Sequence, residues 1–286
     1  EKYADLELFV IVDSIEGAER LANAIGDCIA SRTIHPLVEY GFAGGRTGVR
    51  SMEEAFHLAK AMRDLKIPCN GLEAFEGVLT DADSVSEFLK DIVACHERFR
   101  AEGLFAQGLT YLSAGGSSFY DLVSKYFGEV NGECQVAIRS GCYITHDSGM
   151  YERFFSELIK RDVFATGGRL ESCLHVWGQV QSQPDPGRAF VNVGKRDISY
   201  DIDLPTPQWW YRPGEHTKTI ESSGKVQVTG LNDQHAYLEF NDQVPLRVGD
   251  LVGFGVSHPC TTFDKWKYLF MVDDAFNVTG AIRTYF

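Results

Sequence analysis

An imidazole and a thiol stand two residues apart near the C-terminus, His258 and Cys260 in LVGFGVSHPCTTFDKWK (251–267). On an extended backbone, side chains at i and i+2 point to one side. Nitrogen and sulfur donors in one pocket suit a transition metal such as zinc. A buried cysteine beside a hydrogen-bonded histidine would explain the same pair. Three glycine-containing stretches offer a second kind of chemistry: EYGFAGGRTGVRS (39–51), SAGGSSFYD (113–121) and RSGCYITHD (139–147). Glycines allow tight turns and close backbone approach, and amides at a helix start attract anions. Arg46, set among glycines, could address a phosphate, a carboxylate or a ring nitrogen; the alternative is a solvated arginine in a loop. Ser117 or Ser118 could open a helix, an ordinary Gly-Ser cap being the plainer reading. His146 and Asp147 read either as a base with its orienting partner or as a polar loop beside a helix start.

The elements that must position these residues alternate along the first half of the chain. LELFVIVD (6–13) reads as a largely buried strand and IEGAERLANAIG as a helix. IHPLVEYG precedes a helix from Ser51 to about Leu65, opened by Ser51 and Glu54 at capping-box spacing. LEAFEGVL precedes a helix over roughly 82–102, TYLSAGG precedes SSFYDLVSKYF, and CQVAIRSG precedes GMYERFFSELIKR. Such alternation predicts a parallel sheet covered by helices. All three glycine stretches fall at strand C-terminal ends, where barrels of this kind present their ligands. From about residue 170 the segments become short and β-rich, separated by turn formers such as PDPG and NDQ. His235 precedes one of these strands, in LNDQHAYLEF (231–240), as a turn histidine or as a group reaching a cleft.

The 286 residues carry 27 Lys and Arg against 40 Asp and Glu, a net charge of −13. That balance argues against a nucleic-acid partner. No apolar run is long enough to cross a membrane, and EKYADLELFV is not a secretory signal. Seven scattered cysteines without a CxxC indicate neither a disulfide framework nor a zinc finger, and a reducing cytoplasm is the setting they suit. Five strand–helix units fall short of the eight of a closed barrel. The expectation is a (β/α)8 TIM-type barrel with its last five units present over 1–168, incomplete at its N-terminus, followed by a β domain over 169–286.

These motifs, in this order, resemble the D-serine dehydratase and D-threonine aldolase family of pyridoxal-phosphate enzymes, which have the alanine-racemase-like fold. The segments carrying the resemblance are FVIVDS, LVEYGFAGGRTGVR, GLEAFEGVL, YLSAGGSS, IRSGCYITHD, the D-I-D-LP run at 201–205, NDQHAYLEF and VGDLVGFGVSHPCTTFD. The resemblance implies that Ser113, Gly115, Gly116, Gly141 and Cys142 hold the cofactor, with the phosphate cradled by the glycines and Tyr143 nearby. It places Arg46 against the ring or its substituents, and His258 and Cys260 on a divalent metal, zinc or alternatively manganese. His235 matches a family histidine, but Gln234 replaces the usual acidic neighbour, which leaves a catalytic role for His235 in question.

The family carries its Schiff-base lysine on the first barrel strand, and no lysine here stands at an equivalent position. The resemblance implies a small 3-hydroxy-D-amino acid as substrate, most simply D-serine going to pyruvate and ammonia, and a homodimer. Aldol cleavage of D-threonine and a pyridoxal-phosphate-binding relative without turnover are the alternatives. Aldolase relatives carry H-x-D where this chain has H-x-C, which favours dehydration.

Overall fold

The computed structural model describes residues 6–26, 34–130, 132–161, 168–215, 218–220 and 225–285. Lys2 lies outside them. The chain divides into two compact units at Gly141/Cys142.

In the first unit the expected alternation is present. The elements run β1 (Leu8–Val12), α1 (Ile15–Ile25), β2 (Ile34–Glu39), α2 (Met52–Asp64), β3 (Gly71–Glu73), α3 (Ala82–Ala101), β4 (Thr110–Ala114), α4 (Tyr120–Gly128) and β5 (Cys134–Ile138). The strands form one parallel sheet in the order β1-β2-β3-β4-β5. Val12, Val38, Leu72 and Leu112 are buried on one face of it. They meet a helix layer whose core includes Phe56, Met62, Leu89, Ile92 and Phe99. The start of α2 is close to the expected capping box: Ser51 Oγ accepts from the Glu54 amide at 3.2 Å. The Glu54 carboxylate, however, takes the amide of Arg50, one residue before the cap, at 2.8 Å.

One expectation needs correcting. β1 is not a largely buried strand: Leu8, Phe9 and Ile11 are 49%, 43% and 51% exposed. Among the described strands it pairs only with β2, so its apolar residues lack a second neighbour.

The second unit opens with a 3-10 turn (Gly141–Ile144) that spans the division, followed by α5 (Met150–Lys160). The fifth strand–helix unit is therefore split, and α5 groups with the β domain instead of with the parallel sheet. Ties within the second unit explain this: the Ser148 amide donates to the Val256 carbonyl at 2.8 Å, and Arg153 pairs with Asp203 at 2.9 Å.

The β strands that follow are β6 (His175–Ser182), β7 (Arg188–Val191), β8 (Thr206–Tyr211), β9 (Lys218–Thr219), β10 (Val226–Leu231), β11 (Ala236–Phe240) and β12 (Leu251–Gly255). They make an antiparallel sheet in the order β10-β11-β7-β6-β12-β8-β9. Val180, Val191, Ile198, Leu238, Val252 and Phe254 pack as its core. A short helix α6 (Pro259–Phe263) and a hairpin of β13 (Tyr268–Val272) and β14 (Val278–Arg283) complete the unit. No helix among the described residues is long and apolar enough to cross a membrane.

Candidate functional site

Strand register builds the first centre. Leu37 pairs with Gly71 and Glu39 with Glu73; Glu73 in turn pairs with Ser113, and Ser113 with Ala137. Because side chains alternate between faces, Glu39, Glu73 and Ser113 share one face, opposite the helix-covered residues, at the C-terminal ends of their strands. One layer down on that face, Phe9, His35 and Tyr111 touch one another, with ring centroids 4.8–5.3 Å apart. The upper layer is polar and the lower aromatic.

Arg139, just past β5, folds back over the polar layer. Its Nε donates to Ser113 Oγ at 2.9 Å; its Nη2 donates to the Ala74 carbonyl at 2.6 Å and pairs with Glu73 Oε1. Glu73 is 3% exposed, and its Oε2 is buried without a hydrogen-bond partner among the described residues. An orphan of that kind costs about 1–3 kcal/mol. Burial pushes the Glu73 carboxyl up to about 7; Arg139 and Arg46 oppose the shift, while Glu39 and Glu76 add to it. A carboxyl raised in the folded state destabilises the fold as pH climbs. Stability should therefore fall between the ordinary carboxyl value of 4.5 and about 7. Glu73→Gln should remove this slope, and its advantage over the parent should grow by about 3 kcal/mol across that window. Urea unfolding at several pH values checks this.

The glycine loops are braced around the polar layer. Arg50 donates to the carbonyls of Thr47, Gly45 and Arg46 at 2.9, 3.0 and 3.2 Å. Thr47 Oγ1 donates to Glu39. Arg46 itself is exposed, its guanidinium 5.0 Å from the centre of the Phe75 ring. In the second loop Gly115 has φ +99°, a left-handed conformation that favours glycine. The amides of Gly115 and Gly116 both donate to the fully buried Glu76 carboxylate, at 3.0 and 2.6 Å. Ser140 Oγ donates to the carbonyls of the same two glycines at 2.8 and 2.9 Å. The first unit thus brings Ser113, Gly115, Gly116 and Gly141 to neighbouring strand ends. The two glycine amides assigned to a phosphate hold Glu76 instead. Phe119 precedes α4 without a side-chain cap bond, so the Ser117 and Ser118 cap expectation fails there.

Cys142 and Tyr143 open the second unit. Burial, with Asp147 and Cys260 adding to it, raises the Cys142 thiol, and Tyr143 is 41% exposed. Asp147 accepts from the amides of Gly149, Tyr151 and Glu152, while His146 Nε2 bonds Glu152 at 3.1 Å. That is the helix-start reading, not a base with an orienting partner.

The second centre is His258 with Cys260. They do not lie on one extended strand: His258 is extended and caps α6, and Cys260 sits in that helix's first turn. Pro259 at the first helical position sets the change. His258 Nδ1 bonds Asp201 Oδ2 at 2.5 Å, and Thr261 Oγ1 donates to Asp201 Oδ1 at 2.9 Å. Partial burial works against the Asp201 charge, but these two bonds hold its carboxyl below the usual value. A metal-binding histidine characteristically spends its other nitrogen on such a carboxylate, which leaves Nε2 of His258 for a metal. Among the described residues no group of three or more His, Cys, Asp and Glu could hold a metal. Among the described residues, no third donor of that kind joins His258 and Cys260. Asp201→Asn should weaken metal binding by about 10–100-fold, as read by calorimetric titration with zinc. His235 lies in the turn before β11, its Nε2 3.0 Å from Gln181 Oε1.

Residues 173–272 match the family described as "Putative serine dehydratase domain". None of the curated proteins matches the chain. Among solved structures, the D-threonine aldolase from Filomicrobium marinum aligns with TM-score 0.71 at 22% identity, over 96% of this chain and 68% of that one. The D-threo-3-hydroxyaspartate dehydratase from Delftia sp. HT23 aligns at 0.67 and 18%, over 97% and 72%. An alanine-racemase-like protein from Idiomarina loihiensis aligns at 0.65 and 14%, over 96% and 70%. The fold is thus that of the alanine-racemase-like proteins, a strand–helix sheet joined to a β domain. The match over residues 173–272 agrees with the family that the ordered motifs resemble.

Proposed function

We propose that the protein is a pyridoxal-phosphate and metal-dependent lyase that dehydrates 3-hydroxy-D-amino acids, D-serine to pyruvate and ammonia being the leading reaction. The observation that carries this reading is the His258–Asp201 bond beside Cys260. Solved structures of a D-threo-3-hydroxyaspartate dehydratase include variants at a histidine and at a cysteine two positions apart, the latter in the metal-free form. His258 and Cys260 have the same spacing.

When bound, the two groups supply an electron sink for the α-carbon and a Lewis acid for the departing 3-hydroxyl. In this reading His258 Nε2 and Cys260 Sγ hold the metal, Asp201 fixes the imidazole, and Thr261 fixes Asp201. Ser113, Gly115, Gly116, Gly141, Cys142 and Tyr143 line the cofactor site, with Arg46 against its ring or substituents. His235, whose Nε2 meets Gln181, is the catalytic candidate in this reading. The phosphate must either displace Glu76 from the glycine amides or take other donors. Strands β1–β5 carry no lysine, so they provide no covalent anchor. A cofactor-binding relative without turnover is the second reading, and it gains ground only if the whole protein has no lysine on its first barrel strand.

The likeness to a D-threonine aldolase keeps carbon–carbon cleavage in play. Product analysis with D-threonine separates the outcomes: 2-oxobutanoate means dehydration, glycine with acetaldehyde means cleavage, and no product means binding alone. The homodimer and the cytoplasmic setting belong to the same proposal, and sedimentation velocity tests the first.

A further inference from the structure

We propose that Ser199 and Thr262 are positioning residues for the metal pair, locking the backbone turn that sets His258 against Cys260. The proposal rests on the metal reading above and goes beyond it, since neither hydroxyl is among the proposed ligands.

The turn at Pro259 is what the pair depends on. His258 is extended, with φ −146° and ψ 90°, while Cys260 lies in the first turn of α6. The separation of imidazole and thiol is therefore set by one junction of backbone torsions, not by the regular geometry of a single element. α6 spans five residues, too few to be stable by its own hydrogen bonds. The junction has to be held from outside.

Residues 197–203 hold it. At one end Trp266 Nε1 donates to the Asp197 carbonyl at 2.7 Å. At the other, Ser257 Oγ donates to the Asp203 carbonyl at 2.9 Å and accepts from the Asp203 amide at 3.2 Å. Between these ties the His258 amide donates to Ser199 Oγ at 3.2 Å, and the Ser199 amide donates to Thr262 Oγ1 at 3.1 Å. Two hydroxyls reach the His258 carbonyl, Thr261 Oγ1 at 3.3 Å and Thr262 Oγ1 at 3.4 Å. A hydroxyl has one proton to give, and Thr261 spends its own on Asp201 at 2.9 Å. The carbonyl is left to Thr262.

The bonds close on themselves. Ser199 holds the amide of His258, Thr262 holds its carbonyl, and the Ser199 amide joins the two. Both side chains are buried, so water does not replace a lost partner. Asp201 fixes the ring of the same histidine, and Ser199 and Thr262 fix the backbone that carries it. Ligands are held to a productive geometry by supporting bonds of this kind.

Cobalt(II) is the probe, because a thiolate bound to it gives a visible charge-transfer band. It is titrated into the parent, Thr262→Val, Thr262→Ser and Ser199→Ala, with tryptophan fluorescence in urea reporting the folding of each. Thr262→Val and Ser199→Ala should bind cobalt about 10–100-fold more weakly than the parent, with a weakened thiolate band. Thr262→Ser keeps the hydroxyl and should restore both. A role in folding alone would lower the urea midpoints and leave cobalt affinity and band at parent values in the folded variants, which would overturn the clamp while the metal reading stands. Should Thr262→Val not fold, Ser199→Ala decides by the same criterion. If the parent binds no cobalt, the metal reading and the clamp fall together.

Discussion

Asp250→Ala should cost the second unit about 3–5 kcal/mol of unfolding free energy, the largest effect on stability expected from a single substitution here. Asp250 is 2% exposed. It accepts from Trp210 Nε1 at 2.9 Å, from Arg212 Nε and Nη2 at 3.0 Å each, and from the Arg247 amide at 2.8 Å. Arg212 also stacks on Trp210, its Cζ 5.0 Å from the ring centre. Removing the carboxylate would strand the guanidinium, the indole N–H and an amide at once. Burial opposes the Asp250 charge, but the bonds from Arg212, Arg247 and Trp210 outweigh it and depress its carboxyl. The stability it contributes is thus present above the ordinary aspartate value and lost as pH falls through the depressed one. All four tryptophans, Trp177, Trp209, Trp210 and Trp266, lie in the second unit, so intrinsic fluorescence during urea unfolding follows that unit selectively. Asp250→Asn should retain part of the stability at neutral pH and lose the acid dependence.

Cys260→Ala should weaken zinc binding by about a hundredfold or more and remove any metal-dependent turnover. With two protein donors, loss of one leaves a lone imidazole, and the thiolate is the stronger contributor for a borderline-soft ion. The substitution should leave folding nearly unchanged, because Cys260 is exposed on α6. Metal content after dialysis and calorimetric titration measure the first effect, and unfolding by fluorescence the second. Retained zinc in Cys260→Ala would mean that the metal, if any, sits elsewhere.

The strand–helix frame was legible because apolar strand segments give way to helical spacing at each boundary, with the Ser51 cap marking one of the changes. The glycine loops were legible because they interrupt that pattern at strand ends. Glu39, Glu73 and Arg139 were not found, since only register brings residues 34–100 positions apart into one row. The available signal was a charged residue closing an apolar strand, as Glu73 does in GLEAF. β8 is hard to read from the sequence because PTPQWWYRP begins and ends with proline. Pro207 is accommodated where the register with β12 shifts between Gly253 and Phe254. The extended-backbone argument for His258 and Cys260 missed the helix that Pro259 begins. Asp201 was quoted in the D-I-D run without a role, because its partner lies 57 positions away.

The central claim is a keto-acid-forming lyase that needs both a metal and pyridoxal phosphate. Its most direct test is keto-acid release from D-serine by the protein supplied with pyridoxal phosphate and zinc, with and without a chelator. The account predicts pyruvate and ammonia in equal amounts, abolished by the chelator and restored by zinc. Cofactor and zinc bound to the protein with no keto acid formed from D-serine, D-threonine or 3-hydroxy-D-aspartate would contradict it.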